Sequence, residues 1–297
     1  MPDQGTYLPY LQQQQSTPWN TVVAHGLGTD PPQKTHMNDI SYDLWRDCQA
    51  QLKHLQAPNT GSEAAVVYYT ARGHGKSYGW DKKAKEQTCL DSVADFHTAN
   101  VQRLAEPFTW PALGRDMAAV VNEAFPTTEH IEGGSPPLTI FGQSMGAATA
   151  IFYAMQQDTI PKRRINALIL ARLPRIWEAR QKVSKSYVQS AEEYRLDHPQ
   201  SHHFLPFLAA STTDLPRPDD EQWKQLKNED LKPIPVLLLC HGSDDTHPLE
   251  SGRLLKEKVL SHATLHDAAS DEDEARRTWP NIMAEWLLQV SGDCTVQ

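Results

Sequence analysis

Ser144 lies between two glycines in the stretch GQSMG, directly after the apolar run LTIF at residues 138–141. The pattern Gly-x-Ser-x-Gly is typical of a sharp turn between a strand and a helix, which exposes the serine at the end of the strand. Gly142 and Gly146 leave room for this turn because neither carries a Cβ atom. The next residues, GAATAIFYAM, favour a helix whose amino end would direct unpaired N–H groups at an anion beside Ser144. We therefore expect Ser144 to be a nucleophile in acyl transfer.

The elements that must position this serine are indicated by apolar runs that alternate with helix-patterned stretches. Apolar runs that predict buried strands occupy residues 21–24, 64–71, 138–141, 165–171 and 235–240. Stretches with helical periodicity occupy residues 39–55, 92–108, 114–125 and 251–260. Strands that alternate with helices build parallel sheets covered on both faces. The sequence therefore predicts an α/β fold, with a mostly parallel sheet flanked by helices.

This alternation is interrupted between residues 174 and 232, where the pattern is helical and contains no strand. We expect residues 174–232 to be a helical insertion in a core made of residues 19–173 and 233–297. Residues 1–18 contain four consecutive glutamines and are predicted to be a loose N-terminal arm. The insertion carries many aromatic side chains, namely Trp177, Tyr187, Tyr194, Phe204, Phe207 and Trp223. Some of them can form the walls of a substrate pocket, which favours a largely hydrophobic substrate.

Composition and charge argue against several classes of function. The net charge of -9 is spread along the chain, apart from the acidic run at 271–274, and no basic block is long enough to grip nucleic-acid phosphates. Cys48, Cys89, Cys240 and Cys294 are far apart, as in reduced intracellular proteins. No apolar run reaches the roughly 18 residues of a membrane span, and no motif for metal or nucleotide binding occurs. We expect a cytoplasmic protein with a small-molecule substrate and no cofactor, metal, nucleic-acid or membrane partner, and leave a homodimer open.

Several stretches resemble the α/β-hydrolase superfamily, from about residue 20 to residue 290. WNTVVAHGLG is similar to the strand and His-Gly turn of the oxyanion hole, TARGHGKS to the next strand and turn, GQSMG to the nucleophile elbow, and LLLCHGSDDTHP to the strand and loop of the acid. The resemblance implies an α/β-hydrolase fold with a helical cap, in which the N–H groups of Leu27 and Met145 hold an oxyanion. His25 and His74 then have structural roles. A serine at the elbow implies esters, thioesters, amides or lactones as substrates.

The resemblance also places the acid, which orients the catalytic imidazole. In the superfamily the acid usually stands three residues after a glycine that follows the strand corresponding to PVLLLC. Counted from Gly242, that position is Asp245, and Asp244 is the adjacent rival. No acidic residue directly follows INALILA, the other place where the superfamily carries its acid, which favours Asp245.

The base is where this sequence departs from the superfamily. Its usual place is the loop between the last strand, here ATLHDA, and the closing helix, which includes WPNIMAEWLLQV; that loop, ASDEDEARR, contains no histidine. We rank His247 first, because it lies just beyond Asp245 on the correct edge of the sheet, and His266 second, inside the predicted last strand. Third come the histidines of the insertion, His198, His202 and His203. The absence of a catalytic histidine is the remaining alternative. A subgroup of these hydrolases is resembled by three further stretches, LGRDMAAVV, LPRIWEAR and DTHPLES.

These expectations describe a serine hydrolase that cleaves a small or medium, largely apolar ester, thioester or lactone through an acyl-Ser144 intermediate. His247 would be its base and Asp245 its acid. Because the usual histidine is missing, a hydrolase-fold binding protein that has lost the base is one alternative. An acyltransferase or a carbon–carbon bond hydrolase of a biosynthetic pathway is another, since the same residues would serve it.

Overall fold

The computed structural model describes residues 10–14, 19–26, 40–55, 65–69, 71, 110–125, 136–155, 165–174, 234–244 and 247–294. The helix predicted at 92–108 lies outside these ranges, and so does the predicted insertion apart from Pro174. The prediction for the insertion, including its three histidines, therefore stays a prediction.

The described strands form one seven-stranded sheet in the order β1-β3-β2-β4-β5-β6-β7. Their bounds are β1 Tyr10–Gln14, β2 Asn20–Ala24, β3 Ala65–Tyr69, β4 Leu138–Gln143, β5 Ile165–Ala171, β6 Val236–His241 and β7 Thr264–Ala269. Strands β2 to β7 are parallel, and β1 is antiparallel to β3. The strand order places β4, β5 and β6 side by side at the centre, so that residues following these strands meet at one edge of the sheet.

Helices cover both faces of the sheet. Their bounds are α1 Ile40–Leu55, α2 Trp110–Ala124, α3 Met145–Met155, α4 Leu249–Lys258 and α5 Glu272–Cys294. One core lies between the sheet and α2, α3 and α4, and a second lies between the sheet and α1 and α5. Successive strand residues point to opposite faces, so Ile169 belongs to the second core and Leu170 to the first. The predicted α/β fold, a mostly parallel sheet flanked by helices, is confirmed. None of the described helices is long and apolar enough to cross a membrane.

Residues 10–14 differ from the loose arm that the sequence predicts. They form β1, which pairs with β3 from Tyr10 opposite Tyr69 to Gln14 opposite Ala65. An edge strand is held by backbone hydrogen bonds to a single neighbour, so a polar run without apolar alternation can form one. The expectation of a loose arm is therefore wrong for these five residues.

The last helix begins earlier than the sequence predicts. Residues 269–277 were expected to form a loop, but only Ser270 and Asp271 separate β7 from α5. Asp271 Oδ1 accepts a hydrogen bond from the Glu274 N–H over 2.9 Å, and Glu274 Oε2 accepts one from the Ser270 N–H over 2.7 Å. Such bonds satisfy amide groups that the start of a helix leaves without partners, and carboxylates there interact favourably with the helix dipole. The acidic run therefore begins the helix.

Candidate active site

Ser144 lies in a sharp turn between β4 and α3. Its φ angle is 53°, in the left-handed region that non-glycine residues seldom adopt. Its N–H donates to the Ala171 carbonyl at the end of β5 over 2.9 Å, and its own carbonyl accepts from the Ala147 N–H over 2.9 Å. The turn is therefore held by the neighbouring strand on one side and by the first turn of α3 on the other.

Two glycines make this turn sterically possible. A Cβ atom on Gly146 would lie 2.1 Å from the Ala24 carbonyl oxygen, and one on Gly142 would lie 2.4 Å from the Gly146 carbonyl oxygen. Both distances are far below a van der Waals contact, and both partners are backbone atoms in a closely packed region. The structure agrees with the expectation that these glycines leave room for the turn.

Replacing Gly146 by alanine is expected to lower the free energy of unfolding by about 1–3 kcal/mol, because an added methyl group in a packed site forces the backbone to shift. Urea denaturation followed by circular dichroism measures the change. Gly242→Ala is the matched control, since its Cβ atom would lie 3.4 Å from the nearest atom, the Ser270 carbonyl oxygen. Equal stability of the two variants would contradict the steric argument.

His247 lies directly against the hydroxyl of Ser144. Its Nε2 atom is 2.7 Å from Ser144 Oγ, which is a short hydrogen bond. Only 8% of His247 is exposed. Among the residues that the structure describes, it is the one whose side chain forms a hydrogen bond with the Ser144 side chain. A neutral ring with its proton on Nδ1 can accept the hydroxyl proton at Nε2.

Asp244 holds the opposite side of the His247 ring. The Nδ1 atom of His247 lies 3.0 Å from Asp244 Oδ2 and 3.1 Å from Oδ1. The backbone N–H of His247 also donates to Oδ1 over 2.9 Å, which closes a short turn between side chain and backbone. The carboxylate therefore fixes both the backbone and the ring of His247.

The carboxylate in this position is not the first choice of the sequence analysis. Asp245, which the count from Gly242 favours, lies outside the described residues, so its prediction stays a prediction. The group against His247 belongs to the rival, Asp244. Asp244 precedes His247 by three residues, and this spacing lets one carboxylate reach both the backbone N–H and the ring.

Arg172, the residue after β5, binds the same carboxylate. Its Nε atom donates to Asp244 Oδ2 over 2.7 Å, and the Asp244 side chain is 4% exposed. Burial alone would raise the pKa of the Asp244 carboxyl. The hydrogen bond from the His247 ring and the charges of His247 and Arg172 lower the pKa by more than burial raises it, so the pKa lies well below its usual value. Asp244 is therefore an anion over the whole range in which histidines usually titrate.

This depressed pKa gives the protein's stability a defined pH dependence. A carboxyl whose pKa is lower in the folded than in the unfolded protein stabilises the fold above its unfolded pKa of roughly 3.9, and the contribution is lost as the pH falls below that value. The unfolding free energy of the wild type, relative to Asp244→Asn, should thus decrease between about pH 5 and about pH 2. Urea denaturation of both proteins across this interval measures it, and a constant difference would contradict the contacts of Asp244.

His25 ties the turn after β2 to the segment after β3. Its Nε2 atom accepts a hydrogen bond from the Ala71 N–H over 2.9 Å, and its Nδ1 atom donates to the Gly26 carbonyl over 2.7 Å. A backbone N–H can only donate, so the ring carries its proton on Nδ1. Both ring nitrogens are engaged, which agrees with the structural role expected for His25. Leu27 and His74 lie outside the described residues.

The remaining predicted residues lie in β7 and α3. His266 is within β7, opposite Leu239 of β6, and is half-buried. Met145 is the first residue of α3, where the N–H groups of a helix have no acceptor within the helix. Among the described residues, no cluster of three or more histidine, cysteine, aspartate or glutamate side chains is arranged to hold a metal ion.

The sequence profile of the Alpha/beta hydrolase family matches residues 21–281. The chain belongs to this family. No curated protein matches the chain by sequence.

Solved structures of similar fold cover almost the whole chain. A lipase-esterase related protein from Clostridium acetobutylicum is 14% identical, with a TM-score of 0.56 over 95% of this chain and 99% of that chain. A carboxylesterase structure from the thaumarchaeon Nitrososphaera gargenis is 14% identical, with a TM-score of 0.60 over 96% of each chain. The enol-lactonase from Burkholderia xenovorans is 15% identical, with a TM-score of 0.54 over 95% of this chain and 96% of that chain. At this identity the likeness shows the Alpha/beta hydrolase fold alone.

The sequence patterns did not predict that Arg172 contacts the site. Its place directly after the apolar run INALILA could have indicated it. Because the carboxyl ends of neighbouring parallel strands lie at one edge of the sheet, a charged residue there had to stand near the residues that follow β4 and β6.

Proposed function

We propose that the protein is a serine hydrolase that cleaves a small or medium, largely apolar ester, thioester or lactone through an acyl-Ser144 intermediate. One observation carries this proposal: Ser144 Oγ, His247 and Asp244 form a continuous chain of hydrogen bonds, 2.7 Å at Nε2 and 3.0 Å at Nδ1. This arrangement of nucleophile, base and orienting acid is the one that acyl transfer requires.

In the proposed first step, Ser144 Oγ attacks the carbonyl carbon of the substrate while His247 Nε2 takes the hydroxyl proton. Asp244 keeps the ring proton on Nδ1 and stabilises the cation that forms on the ring. His247 then gives its proton to the leaving alcohol or thiol, and the acyl group remains on Ser144. Water then attacks the acyl carbon with His247 again as base, the bond to Ser144 Oγ breaks, His247 returns the proton to that oxygen, and the acid is released.

The negative charge on the carbonyl oxygen is proposed to be held by two backbone N–H groups. Met145 supplies one at the amino end of α3, where the helix dipole adds a favourable interaction. The other is assigned to Leu27 by the resemblance of WNTVVAHGLG to the oxyanion turn. The bonds of His25 to Gly26 and Ala71 support this assignment, because they fix the backbone directly before Leu27.

The substrate class is proposed from chemistry rather than from likeness. A serine nucleophile acts on acyl groups, and the aromatic residues of the insertion favour an apolar acyl or ring moiety. Carboxylesterase and enol-lactonase structures share the fold. The hydrogen bond between Ser144 and His247 removes the main motive for the binding-protein alternative, which was the missing base.

Free cysteines support a cytoplasmic location as part of this proposal. Cys48 and Cys240 are buried and free, and burial raises the pKa of the Cys240 thiol to about 12. Unreactive, reduced thiols are usual in cytoplasmic proteins.

A fluorophosphonate tests the proposal, because it bonds covalently to an activated serine. The wild type should gain the mass of one adduct, which peptide mapping should locate at Ser144, and Ser144→Ala should gain none. The same pair is then assayed with p-nitrophenyl butyrate. A folded wild type that forms no adduct would refute the hydrolase and favour the binding-protein alternative.

A further inference from the structure

The backbone of Arg172 lies between the segments that carry the proposed catalytic groups. Its φ angle is 53°, and in the described part of the chain only Ser144 and Arg172 are non-glycine residues with positive φ. The Arg172 N–H donates to the Leu239 carbonyl of β6 over 2.9 Å, and the preceding carbonyl, that of Ala171, accepts from the Ser144 N–H. A left-handed backbone is unfavourable for a residue with a Cβ atom, so the surroundings must hold Arg172 in it. The strained residue, Arg172, therefore lies between the Ser144 turn and β6.

The Arg172 guanidinium bridges two carboxylates. Nε donates to Asp244 Oδ2 over 2.7 Å, and Nη1 donates to Glu272 Oε2 over 3.1 Å. Arg276 binds the other oxygen of Glu272, from Nη2 over 2.7 Å and from Nε over 3.1 Å. These four side chains form a row of alternating charges from Asp244 to the first turn of α5. Solvent screens the Arg172–Asp244 pair little, because the Arg172 side chain is 18% exposed and that of Asp244 is 4% exposed.

His241 offers Asp244 a competing partner. It ends β6, is 3% exposed, and its Nε2 atom lies 3.4 Å from Asp244 Oδ2, beyond a good hydrogen bond. Within the described residues neither ring nitrogen of His241 has a hydrogen-bond partner. Burial is the main cause that lowers the pKa of His241, which keeps the ring neutral near pH 7. A buried donor without a partner costs free energy. The His241 ring would therefore be stabilised by a hydrogen bond to an Asp244 oxygen that had lost Arg172.

We propose that Arg172 is a positioning residue of the hydrolase: it holds Oδ2 of Asp244 so that the carboxylate faces His247 and does not turn to His241. Arg172 acts through Asp244 and does not touch the reacting atoms. The inference rests on the proposed function. Glu272, bound in turn by Arg276, holds the guanidinium from its far side.

The test measures kcat and KM with p-nitrophenyl butyrate, and the rate of fluorophosphonate labelling, for three single variants. Arg172→Met should lower kcat by roughly 10–100-fold, as expected for a displaced catalytic group, with KM changed less. Arg172→Lys keeps a charged donor for Asp244 and should recover part of kcat. Glu272→Gln should lower kcat less than Arg172→Met does, because the guanidinium keeps its hydrogen bond to Asp244.

A double variant tests the competition itself. His241→Phe alone should leave kcat near that of the wild type, since the His241 ring forms no hydrogen bond with any residue that the structure describes. In the Arg172→Met background, His241→Phe should recover part of the lost kcat, because the competing donor is then absent. A double variant as slow as Arg172→Met would overturn the part assigned to His241.

The outcomes separate this inference from the proposed function. A wild type that is not labelled at Ser144 refutes the proposed function and the inference with it. A labelled wild type, together with a folded Arg172→Met that keeps its kcat, overturns the inference alone. If circular dichroism shows that Arg172→Met does not fold, Arg172→Lys and Glu272→Gln decide, and unchanged kcat in both overturns it. A merely structural role would lower thermal stability, leave kcat of the folded protein unchanged and give no recovery of kcat in the double variant with His241→Phe.

Discussion

Replacing His247 by alanine is expected to lower kcat/KM for p-nitrophenyl butyrate by roughly 10⁴–10⁶-fold, as the loss of a base from a catalytic triad does in known serine hydrolases. The Ser144 hydroxyl would lose the nitrogen that lies 2.7 Å from it, and among the described residues no other side chain is bonded to it that could take its proton. The activity that remains would come from substrate binding and from the oxyanion hole. Steady-state kinetics and the rate of fluorophosphonate labelling measure the loss.

His266→Ala is the matched control for this variant, because His266 was the second choice for the base and lies within β7. It should keep kcat/KM within a few-fold of the wild type. Circular dichroism and thermal unfolding should show that both variants fold. Loss of activity in His266→Ala, with activity retained in His247→Ala, would overturn the assignment of the base.

Replacing Asp244 by asparagine should lower kcat/KM by roughly 10⁴-fold, the loss seen when the orienting acid of a triad becomes an amide. Oδ1 accepts from the His247 N–H and Oδ2 accepts from Arg172 Nε. An asparagine has only one oxygen, so in either orientation its NH₂ group faces one of these donors. An NH₂ group beside Nδ1 would also favour the ring tautomer with its proton on Nε2, which cannot accept the Ser144 proton.

Asp245→Asn is the control, since it makes the same chemical change one residue away. It should leave kcat/KM within about threefold of the wild type if Asp244 is the acid. The pH profile of the residual activity in Asp244→Asn adds a second readout, because hydroxide can replace a weakened base at high pH. If the large loss appears in Asp245→Asn instead, the acid is the residue that the sequence analysis favoured.

The sequence predicted those features that depend on local patterns. Apolar runs marked the central strands, and the glycines around Ser144 marked a turn whose close contacts leave no space for a Cβ atom. The family resemblance supplied the order of nucleophile, acid and base. It could not decide between Asp244 and Asp245, because the choice depends on a bond from the His247 N–H to a carboxylate oxygen, which a count from Gly242 does not contain.

Other features escaped prediction because they depend on tertiary contacts. β1 is polar and is held by backbone pairing with β3, which lies far away in sequence. The acidic residues before α5 resemble a loop, but Asp271 and Glu274 make the bonds that begin a helix. Arg172 belongs to no local sequence motif, because its ion pairs join three segments that are far apart in the chain.

The base precedes β7, and this order has a consequence for engineering. The proposed nucleophile, acid and base all lie between Ser144 and His247. β7 and α5 therefore complete the sheet and cover it without supplying a reacting group. A circularly permuted protein, with new termini in the exposed turn at Ser261 and His262, would carry β7 and α5 ahead of the present N-terminus and keep the catalytic stretch unbroken. The closing elements of this fold can thus be moved in the chain, or redesigned for stability outside Glu272 and Arg276, while the proposed proton transfer groups stay in one continuous piece of chain.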